Sequence, residues 1–126
     1  MISIVNYLFE SKTLVRNHQK IKTYDKVKWH FPDGKNCSSL EAGKLHIEVL
    51  MKWLKLHSLL SEYGKEIFEI GVDQDTSITS QMLTQEGRNI LDKCYDKWLR
   101  TVVYGKKPST SLLDGYYKLE SKGDRR

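Results

Sequence analysis

Three observations in this sequence predict a mainly α, single-domain helical bundle of about four helices, with room for a short N-terminal strand or hairpin. The 126 residues suffice for one self-supporting core and not for two. Two long segments repeat apolar residues at helical spacing, each behind a hydroxyl-bearing cap residue. Hydrophobic residues make up 39% and charged residues 29% of the chain, the balance of a globular protein rather than a disordered one. The single domain spans 1–126, with residues 106–126 expected to be peripheral and flexible at the end.

The elements follow in order. From Ile4 to Asn17 the apolar positions Ile4, Val5, Leu8, Phe9, Leu14 and Val15 fit a helix, although Ile4-Val5 and Leu14-Val15 also suit short strands. Residues 18–37 read as irregular, with a short strand open between Ile21 and Trp29. Phe31-Pro32-Asp33-Gly34 closes them, because Pro biases its predecessor away from helix and Asp-Gly favours a turn. Ser38, with Glu41 three residues on, predicts the start of a helix over Leu40–Leu60. Its stripe is Leu45, Val49, Trp53, Leu56 and Leu60, broadened by Leu50, Met51 and Leu54. Ser61 caps a shorter helix through Ile70, with Gly71 as its terminator. Ser77 to Met82 reads as a helical turn. Thr84 caps the last long helix, to about Tyr104, with Gly105 as its stop and Ile90, Leu91, Cys94, Tyr95, Trp98, Leu99, Val102 and Val103 on its apolar face. The two long helices are expected to pack face to face and bury Trp53 and Trp98. Leu112, Leu113, Tyr116 and Tyr117 allow a short docked segment near the end, and Glu120 to Arg126 is expected to fray.

Motif chemistry is sparse. There is no G-x-S-x-G, no P-loop, no H-E-x-x-H and no C-x-x-C. No catalytic residue, cofactor or metal site is therefore expected. His46 and His57 are eleven residues apart on one helix, roughly 16 Å at the standard rise, too far to share an ion. His18 and His30 fall in irregular segments, where His30 is expected to anchor its loop by a hydrogen bond. Cys37 and Cys94 are read as reduced thiols, with Cys94 a small core residue. No apolar run approaches the ~20 residues of a membrane span, and Ile2 to Phe9 lacks the basic flank and cleavage site of a signal peptide. A cytoplasmic location without membrane contact is the expectation.

The net charge of +5 is unevenly spread. Residues 1–36 carry seven Lys or Arg against three acids, whereas residues 62–100 carry five against eight. The basic segment interleaves Lys12, Arg16, Lys20, Lys22, Lys26 and Lys28 with Tyr24 and Trp29, a pattern able to track phosphates and stack bases. A solvated lysine-rich face gives the same pattern, and arginine, the usual reader of base edges, is scarce. The acidic middle is more specific. Glu62, Glu66, Glu69 and Asp73 recur at 4, 3 and 4, one face of a helix and its continuation, with Asp75 just beyond. Like charges at this spacing cost a few tenths of a kcal/mol each, a penalty that a basic partner would remove; a plain solvated face, with acids near the first turn favoured by the helix dipole, gives the same stripe. Tyr63, Ile67, Phe68 and Ile70 are free to reach the core.

Tyr24-Asp25-Lys26-x-x-Trp29-His30-Phe31-Pro32, followed by a helix with His46-Ile47 and a central Trp53, resembles a family of small bacterial proteins associated with polymorphic-toxin loci and regarded as immunity proteins. The match covers roughly the first half of the chain, and the family is defined more by fold-stabilising residues than by chemistry. The resemblance implies a cytoplasmic protein that neutralises a cognate toxin domain, such as a nuclease delivered by contact-dependent growth inhibition. It would do so by covering the toxin's active or substrate-binding site. The toxin-binding residues expected on this reading are Glu62, Glu66, Glu69, Asp73 and Asp75. The alternative is a small nucleic-acid-binding or regulatory protein that uses the basic N-terminal segment.

Overall fold

The computed structural model describes residues 20–32 and 37–124. The expected helix from Ile4 to Asn17, His18 and the Asp33-Gly34 turn lie outside the described residues. Within them the chain forms β1 (Thr23–Lys26), a 3-10 turn (Val27–Trp29), α1 (Leu40–Leu56), α2 (Glu62–Ile70), β2 (Ser77–Thr79), a second 3-10 turn (Ser80–Met82), α3 (Gln85–Leu99) and α4 (Ser111–Asp124). The predicted mainly α domain is thus what the described residues build, with four helices and one two-stranded antiparallel sheet. No helix among them is long and apolar enough to cross a membrane.

Strand β1 pairs with β2, from far along the chain, in the register Thr23↔Thr79, Asp25↔Ile78 and Lys26↔Ser77. An irregularity between Thr23 and Asp25 breaks the two-residue alternation of side chains. The consecutive Tyr24 and Asp25 are consequently both buried, and this bulge is what sends a carboxylate into the interior. The expected helical turn at Ser77 to Met82 is half strand: Ser77–Thr79 extends because Ile78 can then enter the core between two half-buried hydroxyl residues, and only Ser80–Met82 winds.

Helix α1 is capped by Ser39, not Ser38; the Ser39 hydroxyl accepts from the Ala42 N–H at 3.1 Å. Its buried side also differs from the expected stripe. Gly43, His46, Ile47, Leu50, Met51, Trp53 and Leu54 face inward, whereas Leu45 and Val49 are half-buried and Leu56 is 77% exposed. Counting apolar residues alone left out Gly43 and His46, and that rotated the reading. The helix also ends four residues before Leu60. Ser58 adopts a left-handed conformation (φ 59), which frees Leu59 and Leu60 to enter the core and lets Leu60 bridge Leu83.

Helices α2 and α3 begin alike, as the sequence predicts. The Ser61 hydroxyl accepts from the Gly64 N–H and the Thr84 hydroxyl from the Gly87 N–H, each at 3.1 Å. The glycines are there because backbone passes close: a Cβ at Gly64 would lie 2.1 Å from the Met82 carbonyl oxygen, and one at Gly87 2.9 Å from that of Leu59. Gly115, inside α4, has nothing within 4 Å of its would-be Cβ. Two alanine substitutions should therefore move in opposite directions. Gly115→Ala should raise stability by about 0.5–1 kcal/mol through helix propensity, whereas the clash at Gly64→Ala outweighs the same gain and costs about 1–3 kcal/mol net. Paired denaturant titrations check this; equal signs would mean that α2 does not lie against Met82.

Helix α3 buries Ile90, Leu91, Cys94, Tyr95 and Trp98, as the spacing predicts. It stops at Leu99 rather than Tyr104, since the Thr101 and Val102 N–H groups turn back onto the Trp98 and Leu99 carbonyls at 2.8 and 3.0 Å. Val103 is left exposed, and Gly105 (φ 83) turns the loop beyond. The C-terminal segment is more than a short docked piece. It forms the full helix α4, which lies along α3, buries Leu113 and is pinned by Trp53 Nε1 donating to Asp114 at 2.8 Å and Asn89 donating to Glu120 at 2.9 Å. Trp53 and Trp98 share one core. At the backbone level α3 lies closest to α4, and α1 to α2 and the first 3-10 turn, while the two long helices meet through the shared core. Side chains link α1 to α3, among them the His46 and Trp98 rings at 6.3 Å between centroids.

Candidate functional site

The five carboxylates singled out in the sequence all reach solvent. Glu62, Glu66 and Glu69 project from the outer side of α2, and Asp73 and Asp75 from the loop that continues it toward β2. That loop is fixed: Asp73 accepts from the Asp75 N–H at 2.8 Å and from the Thr76 hydroxyl at 3.3 Å, and its own N–H donates to the Thr76 hydroxyl at 2.9 Å. Glu62 pairs with Lys65 at 3.2 Å and Asp75 with Lys28 at 3.1 Å, both exposed and weak. Among the described residues Glu66 and Glu69 have no cationic partner within ion-pair distance.

Tyr63 and Ile70 do not reach the core. They are 48% and 75% exposed beside the carboxylates, whereas Ile67 and Phe68 take the inward positions. The reason is the glycine at position 64: it marks the side of α2 that touches Met82, and the phase of the helix turns Tyr63 and Ile70 away from it. Between α2 and β2 a cleft of about 320 Å³ is lined by Tyr63, Ile70, Asp73, Asp75, Thr79 and Gln81 among others. Its combination of an aromatic ring, an exposed aliphatic side chain and two carboxylates can receive a cationic side chain with an apolar stem.

The basic segment holds both buried and exposed side chains. Tyr24 is buried, and its hydroxyl donates to Asp92 at 2.6 Å. Burial, with Asp92 beside it, pushes its pKa above the ordinary tyrosine value. Lys22 is engaged with the same Asp92 at 3.0 Å, Lys28 with Asp75, and Lys26 lies 5.7 Å from the half-exposed Trp29 ring. Lys12 and Arg16 lie outside the described residues.

A second constellation lies inside the protein. The Asp25 carboxylate, 1% exposed, accepts from His30 Nε2 at 2.6 Å, His46 Nε2 at 3.0 Å, the Lys26 N–H at 2.8 Å and the Tyr95 hydroxyl. Burial alone would raise its pKa, but the hydrogen bonds from His30, His46 and Tyr95 prevail and hold it well below the usual carboxylate range. An ionised carboxylate only accepts, so each Nε2 carries a proton. Nδ1 of His30 faces the Tyr104 hydroxyl at 2.6 Å, and Nδ1 of His46 is buried without a hydrogen-bond partner among the described residues. Burial, then the Asp25 charge and bond, raises the Tyr95 pKa well above normal, and burial with Cys37 and Asp25 nearby raises that of Tyr104. At 1% exposure of both Asp25 and His46, the group ties β1, α1 and α3 together rather than facing a substrate.

His30 does anchor its loop, as expected, but spacing along one helix says nothing of His30 and His46, which come from different elements and whose rings stand 4.4 Å apart. A histidine in phase with Leu50 and Trp53 on α1 was the available signal. Of the residues that carry the family resemblance, Tyr24, Asp25, His30, His46, Ile47 and Trp53 are buried, whereas Trp29 is half-exposed. Comparison with family models, with characterised proteins and with solved structures finds no match to this chain.

Proposed function

We propose that this is a protein-binding domain acting as an immunity protein, whose acidic face covers the active or substrate-binding surface of a cognate bacterial toxin. The observation that carries the reading is the exposure, on one side of α2 and its fixed loop, of five carboxylates together with Tyr63 and Ile70. Apolar and aromatic anchors surrounded by charge are the composition of a recognition surface, and toxins that act on nucleic acids present basic clefts. Opposite potentials speed the encounter, and steric cover of the cleft completes inhibition without any catalytic step in the inhibitor. Burial of Tyr24 removes one of the two aromatic groups available to the nucleic-acid alternative, and Lys22 and Lys28 are each paired with a carboxylate at the surface.

The test is co-purification with the product of the adjacent gene, followed by association kinetics of the purified pair at low and physiological salt. Glu66→Lys/Glu69→Lys should slow association at least tenfold at low salt, abolish protection of toxin-expressing cells and leave folding stability within about 0.5 kcal/mol, as expected for exposed charges. Unchanged association by the doubly reversed protein would place the docking surface elsewhere, and tight sequence-selective binding of DNA or RNA by the isolated domain would favour the regulatory alternative.

A further inference from the structure

Three side chains of the kinds that ligate transition metals converge in the core. Asp25 comes from β1, His30 from the end of the first 3-10 turn and His46 from the inner side of α1, and all three are buried. One donor atom of each lies within 4.8 Å of the other two. Both imidazoles present Nε2 to the carboxylate. Nδ1 of His30 is bonded to the Tyr104 hydroxyl, and an outer partner of this sort orients a metal-bound imidazole and fixes its tautomer. The Lys26 N–H and the Tyr95 hydroxyl likewise hold the carboxylate from outside.

Distances decide whether an ion fits. Ligand atoms about 2.0–2.2 Å from a tetrahedral zinc ion stand roughly 3.3 Å from one another. The imidazole–carboxylate separations are 2.6 Å to one oxygen and 3.0 Å to the other, and the three donor atoms lie within 4.8 Å of one another, so side-chain rotations that change these separations by up to about 1.5 Å would accommodate one.

We propose that Asp25, His30 and His46 form a buried site for a single divalent first-row transition ion, with Zn²⁺ as the preferred occupant. Two imidazoles and one carboxylate suit zinc, cobalt, nickel or ferrous iron; calcium and magnesium require a shell of oxygen atoms that these side chains do not supply. Zinc has no geometric preference from its d electrons and tolerates the spacing that the fold dictates. Coordination takes the Nε2 lone pair of each ring, so the proton on each Nε2 must leave it. In His30 it moves to Nδ1, and the Tyr104 hydroxyl turns from donor to acceptor. In His46 it moves to the partnerless Nδ1. The ion replaces the two imidazole–carboxylate hydrogen bonds with bonds that clamp β1 and its turn onto α1; three protein ligands leave the fourth tetrahedral position to a water molecule, and the clamp is independent of any partner at the acidic face.

The experiment uses the untagged full-length chain, stripped by dialysis against a chelator and titrated with Co²⁺ and Zn²⁺ separately. Expected are one ion per chain, visible ligand-field bands of Co²⁺ without thiolate charge-transfer absorption, a rise in thermal midpoint with Zn²⁺ and, by nitrogen NMR, transfer of the His46 ring proton from Nε2 to Nδ1. Tyr104→Phe, which keeps every ligand, should weaken Zn²⁺ binding about 10–100-fold, and His46→Gln should abolish the Co²⁺ bands. Absence of bands and of any midpoint shift in the wild-type chain overturns the site. So does thiolate absorption, or wild-type affinity in both variants, since either would place the ion on other residues.

Discussion

Trp98→Ala should lower the unfolding free energy by about 3–5 kcal/mol, a large share of the ~5–15 kcal/mol available to a domain of this kind. The indole is fully buried between Tyr95, at 5.8 Å between ring centroids, and His46, at 6.3 Å. Its Nε1 donates to the Ser109 carbonyl at 2.8 Å, but Ser109 is exposed and water can replace that bond. The cavity therefore dominates the loss, because α3, fixed against α4, cannot collapse into the space. With a urea slope of about 2 kcal/mol per molar, the midpoint should fall by roughly 2 M. Trp53→Ala should act in the same direction and also release α4, through loss of the bond to Asp114. A wild-type midpoint in Trp98→Ala would show that the core is not built around this residue.

The second large effect is expected at Asp25. Removing the carboxylate by Asp25→Ala leaves the His30, His46 and Tyr95 donors in the interior with no common acceptor, a loss of about 3–5 kcal/mol for the broken partner of a buried ionic group. Asp25→Asn keeps the shape yet turns an N–H toward one of these donors whichever way the amide lies, so it too should destabilise, by less. The pH dependence has a definite sign. The folded pKa of Asp25 is depressed, so its contribution is fully present above the unfolded value of about 4 and is lost as pH falls toward the folded value. The wild-type protein should therefore lose stability more steeply than Asp25→Asn below about pH 4, and the two curves should converge in acid. Parallel curves would mean that Asp25 is not ionised in the folded protein.

What the sequence by itself determined were features set within a few residues: the Ser61 and Thr84 caps, the end of α2 at Ile70 before Gly71, the inner face of α3 and the outward carboxylates of α2. Each depends on backbone geometry and periodicity alone, and these act locally. Helix α4 is only weakly signalled by sequence because Gly115 lowers its intrinsic propensity, and the partners that hold it, Asn89 and Trp53, come from elsewhere in the chain. The phase of α1 differs from its apolar stripe because a glycine and a histidine take core positions, Gly43 where Phe31 approaches and His46 where a carboxylate waits. Only the tertiary structure decided the Asp25 cluster. A bulge in β1 turns that side chain inward, and Tyr95 reaches it from 70 residues away. No local propensity encodes such a meeting, because a buried charge becomes tolerable only once all its distant donors are in place.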